Sequence, residues 1–184
     1  MRKELDAKLV EKYPLIFKNR YAPMTETAMC WGFDCGDGWY TIIDTLCGLL
    51  YNDYRNAKDN YEYTKDGFEN NDGKTHWGRT ITAEEVEEKR LKMEEAAEHV
   101  PVASQVKEKF GGLRFYIDRG TDKHYHYITF AESMSYRTCE KCGKPGMNYT
   151  MGWFQTLCDE HADENYGEDA AAYRNKTGEW SEEE

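Results

Sequence analysis

Four side chains near the C-terminal end constrain this chain more than any other feature. Cys139 and Cys142 form one pair, Cys158 and His161 a second, and fifteen residues separate the pairs. Zinc takes four soft or borderline donors in a tetrahedron, at about 2.3 Å for sulfur and about 2.0–2.1 Å for nitrogen. A two-residue gap lets a tight turn aim two thiolates at one point, and Gly143 and Gly146 make such a turn inexpensive. Cys158 and His161 fit the first turn of a helix, where positions three apart share a face and the helix N-terminus favours thiolate charge. A knuckle, a hairpin and a helix carrying the last two ligands form a treble-clef-like arrangement. The expectation is therefore one structural zinc per chain. Four protein ligands close the coordination sphere, so such an ion staples the chain rather than catalysing a reaction. A redox CxxC is the competing reading, but it lacks a βαβ context here.

The rest of the 184 residues reads as a mixed body. Residues 2–12 suggest a helix bearing Leu5, Leu9 and Val10, limited by Pro14. A helix capped by Asp37 is expected to run to about residue 57, with Trp39, Ile42, Ile43, Leu46, Leu49, Leu50 and Tyr54 as its core stripe. Residues 58–80 are rich in Asn, Asp and Gly and read as a long polar loop. Thr82 and Glu85 form a capping-box signature for a helix to about His99, stopped by Pro101. Residues 102–118 suggest a β-hairpin turning at Gly111-Gly112, and residues 125–138 a further helix. The fold class expected is α+β: a small helical body with a β-hairpin (1–122, insertion at 58–80), a zinc module (123–176) and a frayed acidic tail (177–184).

Charge limits the partners. The formal net charge is -11, with -6 over residues 59–100, +3 over 101–158 and -8 over 159–184. An acidic surface repels phosphate backbones at long range, leaving 101–158 as the segment suited to local contact with nucleic acid. The acidic parts suit a basic protein surface, or serve solubility. With no apolar leader and no apolar stretch long enough to span a bilayer, the chain is expected to be soluble and cytoplasmic, with no membrane partner. In such a compartment the six cysteines read as thiols or metal ligands. The sequence does not set the oligomeric state.

Two further segments are candidate partner- or ligand-binding sites. In Met29–Trp39, the residues Cys30, Trp31, Phe33, Cys35 and Trp39 are expected to pack the start of the long helix. Alternatives are a binding lip of Trp31, Asp34, Asp37 and Trp39, or a second metal held by Cys30 and Cys35 with Cys47, His76 or His99. On the hairpin, Lys107, Lys109, Arg114 and Tyr116 interleave cations with rings, a pattern that contacts phosphates and stacks bases, although such strands more often have one core face and one solvated face. His124 and His126 read as surface residues. The sequence lacks GxSxG, GxxxxGK[ST], HExxH and GxGxxG, so no catalytic residue is assigned and enzymatic activity is not expected. A hydrolase with an unrecognised site in Trp31–Trp39 stays open as an alternative.

The segments CWGFDCGDGW (30–39), VASQVKEKFGGLRFY (102–116) and CEKCGKPG with GWFQTLCDEH (139–161) resemble a protein family of tailed bacteriophages and prophages. The resemblance implies a phage origin and action inside an infected bacterium. Together with the absent catalytic motifs and the net charge of -11, it leads to the expectation of a non-enzymatic accessory protein that binds and modulates a host factor, such as an inhibitor of an antiviral defence or nucleic-acid-handling protein. The alternative is a nucleotide- or nucleic-acid-binding module built on the hairpin.

Overall fold

The computed structural model describes residues 1–150 and 152–174, so the tail expected at 177–184 lies outside the described residues. The first helix, α1 (Lys3–Lys12), buries Leu9 completely. After Pro14 the chain turns back, and Arg20 fastens the turn. Its Nε and Nη2 donate to the Asp6 carboxylate at 3.0 and 2.7 Å, and its Nη1 donates to the Cys30 carbonyl at 2.9 Å. Both partners are largely buried, so the fork geometry of the guanidinium meets its charge and its hydrogen-bonding needs together.

A two-residue strand β1 (Phe33–Asp34) follows, then a 3-10 turn (Asp37–Trp39) and α2 (Tyr40–Leu50). The helix was expected to end near residue 57. Instead it breaks once at Tyr51 and continues as α3 (Asn52–Asn70), so the expected polar loop at 58–80 is helical over its first half. The reason is a partner. Helix α4 (Ala83–Glu98) folds back along α3, and between them they need bury little, chiefly Thr64 and Gly67 of α3 and Ile81 of the connection. A Cβ at Gly67 would sit 2.7 Å from Ile81 Cδ1 and 2.9 Å from the Lys74 carbonyl, so glycine sets this close approach. Thr82 caps α4 as expected, its Oγ1 accepting from the Glu85 amide at 3.2 Å, but the Glu85 carboxylate takes Arg79 at 2.7 Å instead of closing the box. The pair α3–α4 is an arm, and α4 has no buried residue.

The chain then forms β2 (Ala103–Lys109) and β3 (Gly112–Ile117), with sheet order β1-β2-β3; β1 runs parallel and β3 antiparallel to β2. The turn is Phe110-Gly111, one residue earlier than expected, because Lys109 pairs with Gly112 and both turn residues have positive φ, +55° and +76°. Helix α5 (Asp122–Ser135) covers the outer edge of β3. The Leu113 amide donates to Ser135 Oγ at 2.8 Å and the Phe115 amide to Glu132 Oε1 at 3.0 Å. One face of the sheet, α1, α2 and α5 enclose a core of Leu9, Phe17, Trp39, Ile43, Leu46, Val106, Leu113 and Phe115, among others.

After α5 comes the Cys139–Cys142 knuckle, then the hairpin β4 (Met147–Thr150) and β5 (Phe154–Leu157), and α6 (Asp159–Tyr166), which begins just past Cys158 and carries His161. The fold is thus α+β with a knuckle–hairpin–helix module at its C-terminal end. Among the described residues no helix is long and apolar enough to cross a membrane.

Candidate metal centre

The module buries few apolar groups of its own. Its core is Cys139, Tyr149, Leu157, Cys158, Ala162 and Ala170, and two of these six are potential ligands. Local backbone bonds shape the knuckle. The Gly143 amide donates to the Cys139 carbonyl at 2.8 Å, the Cys139 amide to the Lys144 carbonyl at 2.8 Å and the Glu140 amide to the Thr156 carbonyl at 2.9 Å. Gly143 sits at φ +79°, a conformation that a glycine adopts without penalty.

These bonds bring the four donor atoms of Cys139, Cys142, Cys158 and His161 within 4.8 Å of one another. Cys142 Sγ lies 3.7 Å from Cys158 Sγ, and His161 Nδ1 lies 3.2 Å from Cys158 Sγ and 3.4 Å from Cys139 Sγ. A tetrahedron with zinc-length bonds has edges of about 3.8 Å between sulfurs and about 3.5 Å from sulfur to nitrogen. These three separations are near coordination spacing, and all four donors lie close enough to bind a metal ion. His161 presents Nδ1 inward, while Nε2 lies 3.9 Å from Glu164 Oε2.

Electrostatics favour a cation here. Burial opposes charge on Cys139, but the backbone amides of Cys158, Cys142 and Lys141 more than offset it and hold this thiol below its ordinary value. At Cys142 desolvation, hydrogen bonding with the Cys139 and Cys158 sulfurs and the charge of Cys139 raise the thiol above its ordinary value, and a divalent cation between the sulfurs would offset this.

The Met29–Trp39 segment turns out to support this centre. The Gly38 amide donates to the Glu140 carbonyl at 2.7 Å, the Gly36 amide to Glu140 Oε1 at 2.8 Å, and the Trp39 indole to the Thr138 carbonyl at 2.8 Å. A Cβ on Gly38 would fall on the Cys139 carbonyl and the Gly143 amide, so only glycine allows the two backbones to meet. Sequence reasoning missed this docking. Its signal was the alternation of Gly36 and Gly38 just ahead of a tryptophan. Burial raises the Glu140 carboxyl above its ordinary value, as expected for an acid enclosed between two elements.

The expected binding lip does not form as a unit. Trp39 is fully buried and cannot reach a ligand, whereas Trp31 is 70% exposed instead of packing the long helix. Asp37, expected to cap that helix, pairs with the Arg2 side chain and accepts from the Arg2 amide at 2.7 Å; α2 begins after Trp39. Asp34 stays exposed on β1. Cys35 and Cys47 are buried thiols; burial pushes Cys35 up to about 12 and Cys47 well above its ordinary value, so neither is a ready ligand. Among the described residues no second group of metal-ligating side chains assembles.

On the hairpin, Asp34, Lys107 and Arg114 are register neighbours in a row across the face away from the core, with Tyr116 41% exposed. Arg114 is committed locally. It lies over the Tyr136 ring at 5.7 Å, donates to the Tyr136 hydroxyl at 2.8 Å and to the Leu113 carbonyl at 2.7 Å. Lys109 lies 5.4 Å from the Phe110 ring. His124 is buried, contrary to the surface reading, and its Nδ1 accepts from the Thr121 amide at 3.2 Å at the start of α5.

Comparison with protein-family models, curated proteins and solved structures finds no match.

Proposed function

We propose that this chain is a non-enzymatic phage accessory protein, stapled by one structural zinc, that binds and modulates a basic host protein in the cytoplasm of an infected bacterium. The observation that carries the reading is the arm. Helix α4 holds seven glutamates against three basic residues and commits no side chain to the core. A helix that contributes so little to burial yet is built out into solvent suits contact with something else. Its charge suits a partner surface that otherwise holds nucleic acid, such as a defence nuclease, since complementary charge speeds and orients association. Zinc suits the centre because three thiolates and one imidazole are its characteristic structural set, and four protein donors leave no position for a substrate or an activated water. The phage and host assignments rest on the resemblance of three sequence segments.

The test is competition. Purified bacterial nucleases with basic substrate grooves are assayed with excess protein, wild type and an arm variant carrying Glu84→Lys, Glu95→Lys and Glu98→Lys. The wild type is expected to inhibit at least one enzyme, and the variant to need about tenfold more protein for the same effect. Full nuclease activity throughout, or equal inhibition by the arm variant, would overturn the reading.

A further inference from the structure

The β2–β3 turn carries a residue that the turn itself does not want. Two-residue turns with positive φ at both positions favour Asn-Gly or Asp-Gly, because a bulky side chain is strained there. This chain has Phe110 at φ +55°, and the residue is 61% exposed. The residue is therefore unfavourable twice over, in backbone conformation and in exposed apolar area. Strain of this kind persists where surrounding contacts impose it.

Those contacts are present. Thr156 of β5, fully buried, donates through Oγ1 to the Gly111 carbonyl at 2.6 Å, and the Gly111 amide donates to Glu108 Oε1 at 2.6 Å. Phe110 stands edge-on to Phe154, with centroids 6.1 Å apart and an interplanar angle of 88°. Trp153, next in the chain to Phe154, is 68% exposed. The tip of one hairpin is thus bolted to the β4–β5 hairpin, with Phe110 exposed at the junction and Trp153 exposed beside it.

We propose that this junction is a stacking platform for single-stranded nucleic acid, with Phe110 and Trp153 receiving bases and Lys109 and Lys107 meeting phosphates. Charge selects the occupant: residues 101–158 carry +3 in a chain of net -11, Lys109 lies 5.4 Å from the Phe110 ring, and Lys107 precedes it by two residues on β2. Exposed rings flanked by cations are the general means of holding single strands without sequence preference. The platform is built from other elements than the acidic arm, so this inference does not depend on the arm's partner.

The experiment is fluorescence anisotropy of a labelled oligothymidylate of about twelve nucleotides, against a duplex of equal length, over a salt series. The substitution Phe110→Asn suits the turn, so the variant should fold with an equal or higher Tm and the same metal content. It is expected to weaken single-strand binding by about fivefold or more, and Lys109→Gln is expected to lower the salt slope by roughly 0.7. Duplex bound as tightly as single strand, no anisotropy change up to about 0.1 mM protein, or unchanged binding by Phe110→Asn would each overturn the proposal. If no oligonucleotide binds and Phe110→Asn instead relieves nuclease inhibition, the platform is a protein contact and the nucleic-acid assignment fails.

Discussion

Gly38 shows how a residue with no side chain can shape the candidate metal centre. Its backbone lies against Cys139 and Gly143, and its amide donates to Glu140 at 2.7 Å. Its φ is not positive, so the requirement is for space alone. Alanine at this position must push two backbones apart. We expect Gly38→Ala to cost about 2–3 kcal/mol by denaturant unfolding and to weaken metal retention, because the displaced carbonyl belongs to a ligand. Unfolding midpoints and metal content measured together check this. An unchanged midpoint would mean that the loop 35–39 does not brace the knuckle.

At the scale of elements, α5 depends on a histidine. His124 Nδ1 accepts from the Thr121 amide, which requires that nitrogen to be unprotonated. Burial, aided by Lys123, lowers its pKa below the ordinary 6.5. The unfolded chain thus takes up the proton at higher pH than the folded one. The stability contributed is complete above about 6.5 and is lost as the pH falls through the lower folded value. His124→Gln is expected to flatten the pH dependence of Tm between about 7 and 5, and equal slopes for both proteins would remove His124 from that role. Elements also mark where sequence reading reached and where it stopped. The α4 start was legible because Thr82 is a local cap, and the hairpin because alternation and Gly111 are local signals. Helix α3 beyond residue 57 was not, since it buries only Thr64 and Gly67 and is stabilised by a neighbour its composition does not announce. The four metal donors were legible from spacing alone, whereas the Gly36–Trp39 contacts join residues about a hundred positions apart.

At the scale of the whole molecule, the module and the body share a boundary made of backbone bonds. The carbonyls of Thr138 and Glu140 accept from Trp39 and Gly38, and Trp39 is also part of the main core. Loss of the metal should therefore be felt far from the ligands. Elemental analysis is expected to find about one zinc per chain, and none in Cys158→Ser. Stripping the zinc should lower Tm by on the order of ten degrees, and should shift the Trp39 indole N–H resonance, assigned with a Trp39→Phe variant. A Trp39 resonance that stays in place after stripping would show the module and the body to be independent.

The sheet has one further consequence, for behaviour at high concentration. Its β3 edge has amides at Leu113 and Phe115 already engaged by side chains of α5, and its β1 edge is only two residues long. Both features shorten the backbone left open to a stray strand, so crowding during heavy expression should drive edge-to-edge aggregation of this sheet less than long bare edges would.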